Sequence, residues 1–83
     1  MADIKVTYDR QANAAYISFA EPESRPAVAR MYPCDPTEVG GMINLDFDEK
    51  GLLIGVEVLA ARSKLPEYLL DAADRLDTDT DTG

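Results

Sequence analysis

A chain of 83 residues makes one domain and buries only about 60 to 65% of the surface it exposes when unfolded, so one modest core is expected. Its 16 acidic residues against 8 basic ones give a formal charge of -8, which repels phosphate backbones and anionic headgroups and disfavours direct binding to nucleic acid or membrane. One cysteine, Cys34, and no histidine exclude an internal disulfide, a structural zinc site and a histidine-based nucleophilic triad.

The N-terminal MADIKVTYDR has no apolar run of signal-peptide length, and no segment approaches the ~18 apolar residues of a membrane span, so a reduced cytoplasmic compartment is expected. Ile4, Val6 and Tyr8 alternate with Lys5 and Thr7; after the polar break from Asp9 to Asn13, Ala15, Ile17 and Phe19 alternate with Tyr16 and Ser18. This period of two predicts two strands and a connection. Two prolines make Glu21 to Pro26 a loop, and Val28, Arg30 and Tyr32 then suggest a third strand over 27–32, of open register, ended by Pro33-Cys34-Asp35-Pro36. Ile43, Leu45 and Phe47, then Leu52, Ile54, Val56 and Val58 beyond Glu49-Lys50-Gly51, give the strongest hairpin signal in the chain.

From Ser63 the period lengthens: Leu65, Leu69, Ala72 and Leu76 fall at helical spacing. With Ser63 as N-cap, Pro66 in the first turn and Glu67 suiting the helix dipole, a helix over about 64–76 is predicted. Residues 77–83, DTDTDTG, hold no apolar side chain to offset the entropy of ordering and are expected to be a disordered acidic tail. The fold class expected is α+β, an antiparallel meander of about five strands with one C-terminal helix, forming a single domain over 1–76.

The stretch Asp46-Phe-Asp-Glu-Lys-Gly-Leu-Leu-Ile-Gly-Val-Glu57 has the outline of an EF-hand loop: acids first and third, glycine sixth, glutamate twelfth. The fifth position, however, is Lys50, a positive charge where a ligand belongs, and strands flank the loop where an EF-hand needs helices. The hairpin reading prevails, with Asp48 to Gly51 as the turn and Gly51 at the positive φ of a bulge.

Tyr8-Asp9 with Ala12, Ala14 and Ala15-Tyr16-Ile17, followed by Ile43-Asn-Leu-Asp-Phe-Asp-Glu-Lys-Gly51 and Ile54-Gly-Val-Glu-Val-Leu59, resembles a bacterial family known as domain of unknown function 2283. The family pattern runs roughly Y-D-x-x-A-D-A-x-Y-I and then I-x-x-D-[YF]-D-x-x-G-x-[LI]-[VI]-G-[IL]-E-[IV]-L. Asn13-Ala14 departs from its Asp-Ala, and the insert from Glu21 to Gly41 is longer than expected. The resemblance implies a small antiparallel sheet with a C-terminal helix, and no catalytic residue.

Within this frame the candidate structural or interaction residues are Tyr8, Asp9, Tyr16, Asp46, Asp48, Gly51, Gly55 and Glu57. Gly51 serves the turn, Gly55 admits a neighbouring backbone or ring, and Tyr8 and Tyr16 pack across paired strands. Glu57, an acid amid an apolar strand, would be a base of raised pKa if buried; the favoured reading is an exposed or edge face on which it pairs with Lys or Arg. Asp46 and Asp48 point to one strand face, where they either chelate a cation weakly or keep the face wet, and solvation is the favoured reading. Cys34 lacks the basic surroundings of a reactive thiol. No metal or cofactor is expected.

Three functions compete. The first is a non-enzymatic protein-interaction module: the resemblance implies a gene often encoded beside small RelE-like toxins, and an acidic chain suits an antitoxin-like partner masking a basic RNA-cleaving surface. The second is a self-associating domain, a homodimer, because the strand from Leu52 to Leu59 is apolar on both faces and one helix covers only one. The third is a small enzyme or metal binder using Glu57, Asp46 and Asp48, for which a chain this short encloses too little pocket.

Overall fold

A computed structural model describes residues 4–19 and 27–75. The predicted tail, residues 77–83, and the helix's predicted last residue, Leu76, lie outside that range. Strand β1 (Lys5–Asp9) pairs antiparallel with β2 (Ala14–Ser18), Tyr8 opposite Ala15 and Val6 opposite Ile17. Asp9 makes the connection: its Oδ1 accepts the backbone N–H groups of Gln11 at 3.0 Å and Ala12 at 3.2 Å, an Asx-turn. Asn13 closes it at φ 55, a left-handed conformation that asparagine tolerates.

Strand β3 (Arg30–Pro33) is displaced from the predicted 27–32, and it leads into helix α1 (Pro36–Val39). Sequence patterning marks this segment only as the end of the third strand. Its Asp-Pro-Thr-Glu-Val-Gly run nevertheless holds every helix signal: the Asp35 carboxylate accepts Thr37 N–H at 3.0 Å, Pro36 takes the first turn, and Gly40 ends it at φ 70. Strands β4 (Ile43–Phe47) and β5 (Leu53–Leu59) form the predicted hairpin. Asp48 Oδ1 accepts Lys50 N–H and Leu52 N–H, both at 2.9 Å, Gly51 sits at φ 85, and the register shifts between Asp46 and Phe47 as at a β-bulge.

The chain then departs from the expected single helix. Helix α2 (Ala61–Lys64), helix α3 (Glu67–Ala72) and strand β6 (Asp74–Arg75) replace it. Pro66 is the cause: the residue before a proline is driven out of the helical region, and Leu65 is extended at φ -114, ψ 148. Pro66 itself stands at the N-cap of α3, and Ser63 lies inside α2 rather than capping it. The buried phase also shifts from the predicted Leu69 and Ala72 stripe: Leu70 is buried, Ala73 and Leu65 pack beside it, and Ala72 is exposed.

The sheet order is β3-β4-β5-β2-β1-β6. Five strands pair antiparallel, as expected, and the two-residue β6 adds parallel to β1. The expected meander is corrected: the β1–β2 hairpin docks on β5, not on β3. This order puts the long apolar β5 in the centre and leaves exposed β3, with Arg30 and Pro33, at an edge where charge and proline discourage further pairing.

Alternate residues of each strand share a face, and partners across the ladders share it too. On one face Ile43, Val58, Ala15 and Tyr8 form a row across four strands, and the helices cover it. Tyr8, Ala15, Ala61 and Leu70 make the core cluster, with Val58 also buried. Asn13 holds the helical layer in place, its backbone oxygen accepting Ala61 N–H at 2.9 Å and its Oδ1 accepting Arg62 N–H at 2.9 Å. Lys64 Nζ donates to Val39 O at 2.9 Å and ties α2 to the end of α1.

Candidate functional site

The second row on the apolar face, Tyr32, Leu45, Val56, Ile17 and Val6, contributes one residue from each of β3, β4, β5, β2 and β1. Four of them are half-buried and Tyr32 is 55% exposed. Farther from the helices, Leu53 opposite Phe47 is 40% exposed, Phe19 39% and Ile4 58%. Burial thus decays from one end of the face to the other, because two short helices reach across only the Tyr8 end. The apolar area left in water by Tyr32, Leu53, Phe19 and Ile4 is roughly 400 Å², taking about 150–250 Å² for a whole aromatic side chain and somewhat less for an aliphatic one.

The opposite face is polar and gathers most of the candidate residues. Tyr16, Glu57 and Asn44 lie in line across β2, β5 and β4; Gly55 and Asp46 form the neighbouring pair. Gly55 has no side chain, and the Tyr16 ring lies across that gap: a Cβ at position 55 would overlap its hydroxyl. The hydroxyl donates to Asp46 Oδ2 at 2.9 Å. Asn44, only 8% exposed, donates from Nδ2 to Glu57 Oε1 at 3.1 Å. Burial, then the hydrogen bond to Asp46 and the negative charges of Asp46 and Glu57, all disfavour a tyrosinate and push the Tyr16 hydroxyl up to about 12.

This geometry corrects two expectations. Glu57 lies on a central strand, not an edge, and its partners are Asn44 and the neighbouring Tyr16 rather than Lys or Arg. Asp46 and Asp48 do not act as a pair: Asp46 accepts from the Tyr16 hydroxyl, whereas Asp48, just beyond β4, accepts backbone N–H groups of the turn. Tyr8 and Tyr16 each pack across a strand pair as expected, on opposite faces: Tyr8 in the core opposite Ala15, and Tyr16 over Gly55. Asp9 and Gly51 belong to the two hairpin turns. Cys34 is half-buried, a free thiol whose backbone N–H donates to Ile43 O. Sequence reading missed Asn44 and Asn13; a polar residue opposite Glu57, the lone acid of β5, was the available signal for the first.

Among the described residues no group of three or more Asp, Glu or Cys is placed to hold a metal, and no helix is long and apolar enough to cross a membrane. A twisted antiparallel sheet with a helical cap over one end of its apolar face, and a tyrosine locked over a glycine on the other, defines a small α+β domain. The chain belongs to the DUF2283 family, proteins of unknown function, whose profile matches residues 5–62. No curated protein and no solved structure matches it.

Proposed function

We propose that this chain is a non-enzymatic, cytoplasmic protein-interaction module whose binding surface is the end of the apolar sheet face that its own helices leave open. The observation that carries the reading is the decay of burial from Tyr8 through Ile17 and Val56 to Phe19 and Leu53. The largest apolar patch on a typical monomer is about 300–600 Å² and is often functional, so this one is the chain's first candidate for a binding surface. The half-buried row of Leu45, Val56, Ile17 and Val6 beside the exposed residues extends the apolar surface on offer. The polar face supports a structural role instead: Asp46 and Glu57 each have a hydrogen-bond partner within the sheet, and the Tyr16 proton is held tightly through the physiological range.

A basic partner of the antitoxin-target kind is the second reading, favoured by the charge of -8. A photo-crosslinking residue installed in the native host at Tyr32 or Leu53, with Glu67 on the exposed side of α3 as control, tests the docking surface itself. Discrete protein adducts are expected at Tyr32 and Leu53 and not at Glu67. Absence of adducts at both apolar positions, or equal yield at Glu67, overturns the reading.

A further inference from the structure

We infer that the polar face of the sheet also holds a site for a guanidinium group, the head of an arginine side chain presented by another protein. The site is formed by Tyr16, Asn44, Asp46 and Glu57, on the face opposite the open apolar end, and it stands independently of the docking reading above. Asn44 pairs with Glu57 and Asp46 with Gly55 across β4 and β5, so the two carboxylates are diagonal neighbours on adjacent strands. Such neighbours have Cβ atoms about 7 Å apart. The Tyr16 hydroxyl feels the negative charge of both.

The lock between the strands engages one oxygen of each carboxylate and leaves acceptors over. Asn44 Nδ2 donates to Glu57 Oε1 at 3.1 Å and the Tyr16 hydroxyl to Asp46 Oδ2 at 2.9 Å, so Glu57 Oε2, Asp46 Oδ1 and Asn44 Oδ1 have no donor among the described residues. Asn44 is only 8% exposed, and a carbonyl oxygen buried that deeply calls for a donor. Among the described residues no cation pairs with Asp46 or Glu57: Lys5 meets Asp74 at 3.7 Å, Lys64 donates to Val39 O, and Arg30 lies over Phe47. Water would satisfy a lone carbonyl, but two carboxylates beside it favour a cation. A guanidinium carries five donors in one plane and spans two acceptor groups, where a compact ammonium is a point charge. The Tyr16 ring, laid across Gly55, adds an aromatic surface beside which such a cation is favoured. The formal charge of -8 draws a basic side chain toward the chain from a distance.

An NMR titration of the labelled full chain with N-acetylarginine methylamide tests the site. Saturable shifts of the Asn44 side-chain amide and the Gly55 backbone amide are expected, with a dissociation constant of about a millimolar for this single side chain. Glu57→Gln and Asp46→Asn each keep an acceptor for the internal hydrogen bond and remove one charge, so each should weaken binding by about tenfold. Should Asp46→Asn lose the dispersed spectrum of the folded chain, Glu57→Gln decides alone. N-acetyllysine methylamide should bind more weakly, for want of the planar fork, and so should free arginine, whose α-carboxylate the face repels. No saturable shift at Asn44 and Gly55, or unweakened binding in the folded variants, overturns the inference. Lysine that binds as well as arginine overturns the guanidinium, and free arginine that binds more tightly than the peptide-linked form overturns the protein source.

Discussion

The Tyr16 hydroxyl occupies the space over Gly55 where any other residue would place its Cβ, and from there it reaches the Asp46 carboxylate at 2.9 Å. One glycine, one tyrosine and one aspartate on three adjacent strands thus lock β2, β5 and β4 together on the polar face. Gly55→Ala forces the ring away in the middle of the sheet and breaks that hydrogen bond, and overpacking of this kind costs about 1–3 kcal/mol. At about 4–8 °C per kcal/mol for a domain of this size, the expected loss in melting temperature exceeds several degrees. Adding Tyr16→Ala to Gly55→Ala removes the overlap, so the two substitutions together should destabilise by less than their sum. An unchanged melting temperature in Gly55→Ala would contradict the packing.

The raised pKa of Tyr16 fixes the direction of a pH effect. An unperturbed tyrosine titrates near 10, and Tyr16 in the fold near about 12, so between these values the folded chain holds more protons than the unfolded one. Stability from this group is complete below pH ~10 and is lost as pH rises through the folded value. Tyr16→Phe should flatten that alkaline decline, and Asp46→Asn should shift the Tyr16 titration downward, read from tyrosinate absorbance as the difference from Tyr16→Phe. A Tyr16 transition near the ordinary value would show that the hydroxyl is not held by Asp46.

Ala60 precedes α2 at φ 53, a left-handed conformation that a Cβ disfavours by about 1–2 kcal/mol. Ala60→Gly removes that strain, loses some of the gain to the greater freedom of the unfolded chain, and should stabilise by up to about 1 kcal/mol. Asn13→Ala should act the other way, since Asn13 at φ 55 also supplies the acceptor for Arg62 N–H; about 1–2 kcal/mol is expected to be lost. Urea unfolding measures both. A destabilised Ala60→Gly, or an unaffected Asn13→Ala, would contradict the described entry into α2.

The strands were legible because period-two alternation reports a half-buried face directly, and Gly51 was legible because a four-residue turn after Asp48 demands positive φ. The sheet order was not, since neither alternation nor turn chemistry says which non-consecutive strands pair; β2 meets β5 through Ala15 and Val58 only in the folded chain. The helix failed for a local reason: Pro66 sat at a position that the i, i+4 stripe tolerated on paper, while its effect on Leu65 splits the helix in two. Of the site, Gly55 was correctly read as room for a ring, but the ring's owner and the Asn44–Glu57 pair depended on that same strand order.

Calcium should leave stability unchanged. Asp48, which an EF-hand would need as a ligand, already accepts two backbone N–H groups, and Lys50 adds a positive charge to the loop. A ligand of the folded state at a hundred times its dissociation constant would add about 2.7 kcal/mol. A melting temperature that rises in millimolar calcium and no longer does so in Asp46→Ala would contradict the hairpin reading.

The claim that the open end of the apolar face is a protein-docking surface is tested most directly by methyl and aromatic NMR with a soluble paramagnetic probe, read on the labelled chain alone from low to high concentration and in a concentrated extract of its host. The account predicts that Leu45, Val56 and Leu53 methyls and the Phe19 ring become protected from the probe as concentration rises or in the extract, while exposed Met42 near the other end stays bleached throughout. Bleaching of Leu53 and Phe19 that matches Met42 at every concentration and in the extract would contradict it.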